Sequence, residues 1–365
     1  MKNKLESFKS GLLEWRNALV FAVLVTTLFR WSLAEAYNIP TGSMENSLLV
    51  GDYILVSKIH YGPRTPQTPL QLPLSHQKIW GTEIPSYLDW IQLPSFRFPG
   101  LRQVERGEIV VFNTPKDLLD PTERPADLMT YLVKRCVAVA GDELEIRNKQ
   151  LYINNEHVPD QAGIKYLYQM VSTYPLQDRH FENLQLGEED RWFQGYNQAQ
   201  QAVYGVLLTE AQYQTVAKAP YLVSLSPGSD QPQGFPLFPD FGEQSWDLHN
   251  YGPLKVPHQQ MEIEVNTYTL AAYGELIQKY EGHKEVHIAN GQLRIAGKSV
   301  NTYVFQQDYY FMMGDSRHNS IDSRYWGFVP ASHVVGKPVM VLFSKDDNGR
   351  GTDKIRWNRI FSMID

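Results

Sequence analysis

Cysteine is nearly absent. Cys136 is the single one in 365 residues, so no intrachain disulfide can form, and the redox compartment stays open. Positive charge is not in excess. The 34 Lys and Arg against 40 Asp and Glu leave a net charge of −6, which argues against broad nucleic-acid binding. No internal repeat is visible. The histidines, among them His249, His258, His283 and His287, follow no metal-ligand spacing, so neither a metal nor a cofactor is expected. Long hydrophobic runs are missing except at the N-terminus. A hydrophobic fraction of 42% is ordinary for a globular chain, and the length suffices for two domains or one domain with a large insertion.

The N-terminal exception is an apolar run over 18–29, with Thr26 and Thr27 as its weakly polar members. Lys2, Lys4, Lys9 and Arg16 precede it. A bilayer core needs about 20 residues. Extension to 15–34 supplies that length, provided Arg16 and Arg30 snorkel towards the headgroups. Trp15 and Trp31 then suit the two interfaces. The basic flank predicts a cytosolic segment 1–14, a transmembrane anchor 15–34, and the bulk of the chain outside. A cleaved secretion signal is the rival reading, since Ala34-Glu35-Ala36 has a small-x-small pattern. Arg30 before that site, and Glu6 and Glu14 in the basic region, favour a retained anchor.

Strand signals follow over 47–61, with Gly51-Asp52 as a turn and Tyr53, Leu55 and Ser57 alternating with Ile54, Val56 and Lys58. Residues 62–105 are rich in proline and aromatics, Trp80, Trp90, Phe96 and Phe98 among them. Two readings fit: a long loop packed on the core, or a membrane-facing rim. Short strands are expected over 109–112 and 131–140, and a hairpin over 143–153 with Asn148-Lys149 at its tip. Beyond 160 the composition shifts towards Gln, Tyr and Pro, with a Pro/Gly-rich connector over 226–242. A helix is expected over 210–218, with Thr209 as N-cap and Gln212 closing a capping box. A second runs over 270–280 and ends at Gly282, and a hairpin turns at Asn290-Gly291. The architecture reads as mainly β. A catalytic β domain over 35–145 and 304–365 would carry an inserted mixed α/β domain over 146–303.

Three segments could carry chemistry. Ser43 lies in Ile39-Pro40-Thr41-Gly42-Ser43-Met44, where Gly42 permits a tight turn or close backbone approach. Lys134 lies mid-strand in Tyr131-Leu132-Val133-Lys134-Arg135. Strand alternation puts Leu132, Lys134, Cys136 and Ala138 on one face and Tyr131, Val133, Arg135 and Val137 on the other. An apolar surround without a carboxylate on that face would depress the lysine pKa and make it a base for a serine nucleophile. The alternative is a lysine whose stem packs on the core while its head reaches water. Ser43 N–H and the Thr41 hydroxyl could form an oxyanion hole, each donor worth about 3 kcal/mol in the transition state. The alternative there is a hydroxyl-capped turn. The third segment, 314–324, reads as a polar loop. Ser320 could bond the Lys134 amine, and Asp315, Asp322, Arg317, Arg324 and Arg135 could form a charge network. A Ser43–His318–Asp triad is a competing arrangement, with Asp315 or Asp322 as the acid.

These segments, with Arg106-Gly107-Glu108-Ile109-Val110-Val111-Phe112 between the first two, resemble the ordered motifs of the bacterial type I signal peptidases. The resemblance covers about 37–61, 106–145 and 304–345 plus the anchor, and leaves 146–303 unmatched. It implies a signal-peptidase-like β fold behind one N-terminal transmembrane helix. It implies a serine endopeptidase that removes signal peptides from exported preproteins after small-x-small sequences such as Ala-x-Ala. Ser43 would be the nucleophile, Lys134 the general base, Thr41 the oxyanion hydroxyl, and Ser320 the residue orienting the lysine. Asp315 would pair with Arg135, and Asp322 with Arg324. Tyr37, Ile39, Pro40, Met44, Leu48, Ile54, Val56, Val111, Leu132 and Val133 would line the pockets for small residues. An extended substrate would pair with the strand at 54–56. Partners would be preproteins and membrane lipid, not nucleic acid. The site would face outward from the bacterial cytoplasmic membrane, on the periplasmic side. The sequence differs from the family pattern in four respects: Met44-Glu45-Asn46 replaces Met-x-Pro, Gly314-Asp315-Ser316-Arg317-His318 replaces Gly-Asp-Asn-Arg-Asp, there is a single span, and the insertion is long. A non-enzymatic anchored binding protein, or a self-cleaving Ser/Lys regulator, explains fewer of these features.

Overall fold

The computed structural model describes residues 2–73, 75–118, 122, 124–228, 235–242, 246–346, 349 and 354–364, with side chains from 13 onward. Helix α1 (Lys2–Ser32) leads into β1 (Ala34–Asn38), followed by β2 (Asp52–Ser57), β3 (Ile109–Asn113) and β4 (Tyr131–Ala138). The middle of the chain supplies β5 (Glu143–Arg147), β6 (Gln150–Ile153), β7 (Glu156–Val158), β8 (Tyr166–Ser172), α2 (Asp178–Asn183), β9 (Arg191–Tyr196), β10 (Ala202–Leu208), α3 (Glu210–Val216) and β11 (Leu222–Pro227). Next come β12 (Tyr251–Lys255), β13 (Glu262–Glu264), α4 (Thr267–Lys279), β14 (Val286–Ala289), β15 (Gln292–Ile295), β16 (Lys298–Val300) and β17 (Thr302–Val304). The chain returns through β18 (Tyr309–Met313), α5 (Ser323–Trp326), β19 (Val329–Pro330) and β20 (Val334–Ser344).

The fold is mainly β. A seven-stranded sheet in the order β1-β2-β20-β3-β4-β18-β19 joins the first four strands to the last three. Two four-stranded sheets, β11-β8-β10-β9 and β12-β5-β6-β7, come from the middle. Strand β5 runs across position 145, and one apolar core joins Leu144, Ile146 and the α4 residues Leu276 and Ile277 to Phe311 and Phe328. The β8–β11 sheet encloses its own core around Met170, Phe181, Tyr204 and Leu208.

Local chemistry explains several boundaries. The capping box of α3 forms as expected, with Thr209 Oγ1 accepting from Gln212 N–H. Helix α4 starts at Thr267, three residues earlier than expected, because Asn266 accepts from Thr269 N–H and caps it. The hairpin at Asn290-Gly291 is present between β14 and β15. Residues 47–51 are not strand but turns closed by Leu48 N–H to Met44 O and Gly51 N–H to Ile39 O, so β2 begins at Asp52. Residues 62–73 and 75–105 lie in loop structure tied by isolated bridges such as Arg64 to Arg97. Part of the expected connector, 229–234, lies outside the described residues.

One expectation changes. The strand at 54–56 cannot receive a substrate edge-on, because β2 is paired by β1 on one side and β20 on the other. The outer strands are β1 and β19. Within β4, Tyr131 to Lys134 pair with β3, whereas pairing with β18 starts at Arg135. Among the described residues, Tyr131 to Lys134 therefore have no strand partner on the β18 side. Among the described residues no helix is long and apolar enough to cross a membrane.

Phe311 is fully buried, with ring centroids 5.9 Å from both Tyr251 and Phe328. Phe311→Ala should destabilise the protein by about 3–5 kcal/mol, read as a lower denaturant midpoint.

Candidate active site

The Ser43 turn is held at both ends by core side chains. Residues Gly42–Met44 form one 3-10 turn, and Glu45 N–H closes it onto Gly42 O at 3.0 Å. Ile39, Met44 and Leu48 pack with Ile54, Val56 and Val111, so the turn cannot shift without opening that core. Thr41 precedes it in extended conformation (φ −134°, ψ 153°) and is exposed.

Lys134 occupies the middle of β4 and is 4% exposed. Its Nζ lies 2.5 Å from Ser43 Oγ. Burial pushes the lysine down to about 8, against the opposing pull of Asp322 and Asp315. The carboxylate-free surround expected from strand alternation is therefore incomplete in space: the 314–324 loop brings two carboxylates near, and desolvation outweighs them.

That loop is not solvated. Asp315, Ser316, Ser320, Asp322, Ser323 and Arg324 are all buried, because the charges are paired within the loop and with β4. Arg135 makes a bidentate pair with Asp315, at 2.8 and 2.7 Å, and donates to Gly107 O at 2.5 Å. It therefore does not point away to solvent. Arg324 pairs with Asp322 through two contacts of 2.8 Å and donates to Arg317 O at 2.5 Å. Burial raises the Asp322 carboxyl, but Arg324 overcomes it and holds the group below the usual range. Asp322 also accepts from Gly314 N–H, and Ser316 N–H donates to Ser43 O at 3.1 Å. Ser320 Oγ is buried without a hydrogen-bond partner, so it makes no bond to Lys134 here.

His318 lies elsewhere. Its Nδ1 accepts from Leu167 N–H at 3.3 Å, and its Nε2 lies 3.1 Å from His249 Nε2. Burial and nearby cations push it down to about 3, so it stays neutral and has no hydrogen bond to Ser43. The triad alternative fails on this geometry.

The expected pocket wall divides. Ile39, Met44, Leu48, Ile54, Val56 and Val111 are core, with Tyr37 and Val133 partly buried against them. Leu132 packs on a different core with Phe112 and Cys136, and Pro40 is exposed. Tyr37, Leu132 and Val133 are partly accessible, and Pro40 more so. The rings of Tyr37 and Tyr131 meet at 4.8 Å between β1 and β4. Ser47 was missed by sequence reasoning. Its hydroxyl donates to Asp315 at 2.6 Å and accepts from Arg135 at 3.0 Å, and its spacing of four from Ser43 was its only signal.

A serine hydroxyl bonded to a buried lysine amine is an arrangement suited to acyl transfer. The chain matches the family described as signal peptidase, peptidase S26, over residues 12–220 and 255–343, and it belongs to that family. It is thus a serine peptidase of the signal-peptidase type. Signal peptidase I of Buchnera aphidicola from Acyrthosiphon pisum is 25% identical over 99% of this chain and 86% of the relative. That of Helicobacter pylori strain J99 is 23% identical over 95% and 91%, and that of Haemophilus influenzae 23% over 96% and 75%. The family match continues through 146–220, where the motifs had given no correspondence.

Gly314 has no space for a side chain. An added Cβ would lie 2.3 Å from Ser320 Oγ and 2.7 Å from Ser43 O. Gly314→Ala should cost about 10²-fold in kcat by displacing the Ser43 turn, measured on folded protein at saturating substrate.

Proposed function

We propose that this chain is a membrane-anchored endopeptidase that removes signal peptides by cutting after small-x-small sequences, with Ser43 as nucleophile and Lys134 as general base. The observation that carries this reading is the 2.5 Å contact between two buried groups, Lys134 Nζ and Ser43 Oγ. Neutral Lys134 takes the Ser43 proton as Ser43 attacks the carbonyl after the second small residue. Ser43 N–H and the Thr41 hydroxyl stabilise the oxyanion. The leaving amine takes the proton, and water activated by Lys134 releases the acyl-enzyme. Ser320, with its free hydroxyl, orients the amine during this cycle. Asp315 with Arg135, and Asp322 with Arg324, hold the loop.

The groove for the substrate is the gap between β1 and the stretch Tyr131 to Lys134 of β4. Four successive antiparallel pairings connect β1 to β4, so these two strands run in the same direction. Both head from the α1 end towards Ser43. A preprotein threaded alongside them keeps its apolar signal near α1 and delivers its cleavage site to the dyad. Tyr37 and Val133 contact the small residues, and bulk is rejected by overlap.

Support for the anchor comes from what α1 leaves uncovered. Trp15, Leu19, Phe21 and Leu24 are all exposed, and lipid is the cover this reading supplies. Trp80, Trp90, Phe96 and Leu101 extend the exposed apolar surface, as a rim at the same membrane. The catalytic part then stands on the outer face of the bacterial cytoplasmic membrane. Residues 146–303 form the inserted domain, and no cofactor enters the reaction. Anchoring converts substrate search into local encounter.

Cleavage of a preprotein with an Ala-x-Ala site should be lost by at least about 10³-fold in Ser43→Ala and in Lys134→Ala, with folding intact. Cleavage that survives either substitution would refute the dyad. Because the base must be neutral, kcat/KM should rise through pH 8 and flatten above it, the direction set by the lowered Lys134 pKa.

A further inference from the structure

Two residues after Ser43 stands a carboxylate that the mechanism leaves unused. Glu45 is buried, and its Oε2 lies 3.7 Å from Lys165 Nζ. Lys165 is 1% exposed and donates to both oxygens of Asp190 at 2.6 Å. The three charges come from three places: the nucleophile turn, the residue before β8, and the residue before β9. One buried ammonium already balanced by one carboxylate gains a second at a desolvation cost, so an apolar residue would fill this space more cheaply.

The backbone around Lys165 touches both catalytic segments. Its N–H donates to Asp315 O at 2.9 Å, and its carbonyl accepts from Arg317 N–H at 2.9 Å. Asn46 Nδ2 donates to Gly163 O at 3.1 Å. On the other side, Glu45 Oε2 lies 3.1 Å from where a Cβ on Gly42 would stand. The carboxyl therefore occupies the space beside Gly42, the residue preceding Ser43, while Glu45 N–H closes the turn.

We propose that Lys165 and Glu45 form a clamp through which the inserted segment fixes the Ser43 turn, which makes both of them positioning residues for the nucleophile. This inference rests on the reading of Ser43 given above. The clamp is engaged when Glu45 is ionised, because the attraction to Lys165 needs the charge. The groups facing Glu45 are Lys165, Asp190 and Glu189, all from the insert. Burial pushes Glu45 up to about 7, Lys165 pulls it down, and Asp190 and Glu189 push it up again. The clamp therefore loosens as pH falls below neutrality, in addition to the protonation of Lys134.

The test uses the full chain in detergent, an Ala-x-Ala preprotein, and Glu45→Gln, Lys165→Met and Lys165→Arg across about pH 5.5–9.5, bracketing the Glu45 and Lys134 ionisations. Glu45→Gln keeps size and leaves the Lys165–Asp190 pair intact. It should lower kcat by about 10- to 100-fold with KM little changed. Lys165→Met should do the same, and Lys165→Arg should restore most of the loss. In wild type, log kcat should fall more steeply than a slope of one between about pH 7 and 5.5, where Glu45 and Lys134 both take up protons, and in Glu45→Gln with a slope of about one throughout. Wild-type kcat in Glu45→Gln, or an acid limb as steep as wild type in that folded variant, overturns the clamp. If Lys165→Met fails to fold, Glu45→Gln alone decides. Survival of cleavage in Ser43→Ala would instead overturn the underlying reading, whatever the clamp variants do.

Discussion

The structure depends on a lysine kept out of water beside two carboxylates. Burial alone would discharge Lys134, and Asp315 and Asp322 alone would recharge it. The conflict is resolved because each carboxylate has its own guanidinium: Arg135 on Asp315 and Arg324 on Asp322. Both pairs are buried, bidentate and further satisfied by backbone groups, so each carboxylate faces a guanidinium of its own. Arg324 adds to the effect of burial, since its own charge also pushes the Lys134 pKa down. The charge network thus balances the carboxylates beside Lys134 as well as holding the loop.

The sheet supplies the second half of the arrangement. Lys134 and Arg135 are neighbours on β4, yet one reaches Ser43 and the other Asp315, so a single strand carries the buried lysine and ties down the loop beside it. Ser43 is set from β1 by a turn whose apolar residues sink into the sheet's core. The insert is not an appendage. Lys165 bridges Asp315 and Arg317 through its backbone, and the β5–β7 and α4 regions share a core with β18. Bulk inserted between β4 and β18 is accommodated because it packs against both.

Much of this was legible in sequence, for identifiable reasons. The α3 capping box and the hairpin at Asn290-Gly291 depend on neighbours within four residues, so local chemistry sufficed. Helix α4 was placed three residues late because Asn266-x-x-Thr269 was overlooked as a cap. The burial of the polar 314–324 loop is not legible locally, since polarity signals exposure only when charges lack partners, and Arg135 is 180 positions away from Asp315. The pocket wall was overextended because a residue near the site can be core rather than lining, as Leu48 and Val56 are.

By itself the sequence determined the residue types, their order and the local backbone: a serine in a Gly-turn, a lysine amid apolar strand residues, an apolar N-terminal segment, and a mainly β pattern. Those follow from short-range sterics and periodicity. The tertiary structure alone decided that β2 is covered on both sides, that His318 faces His249, and that Glu45 meets Lys165. Each of these joins segments far apart in the chain, where the outcome is set by which buried charges and sheet edges find partners, and no local pattern encodes that.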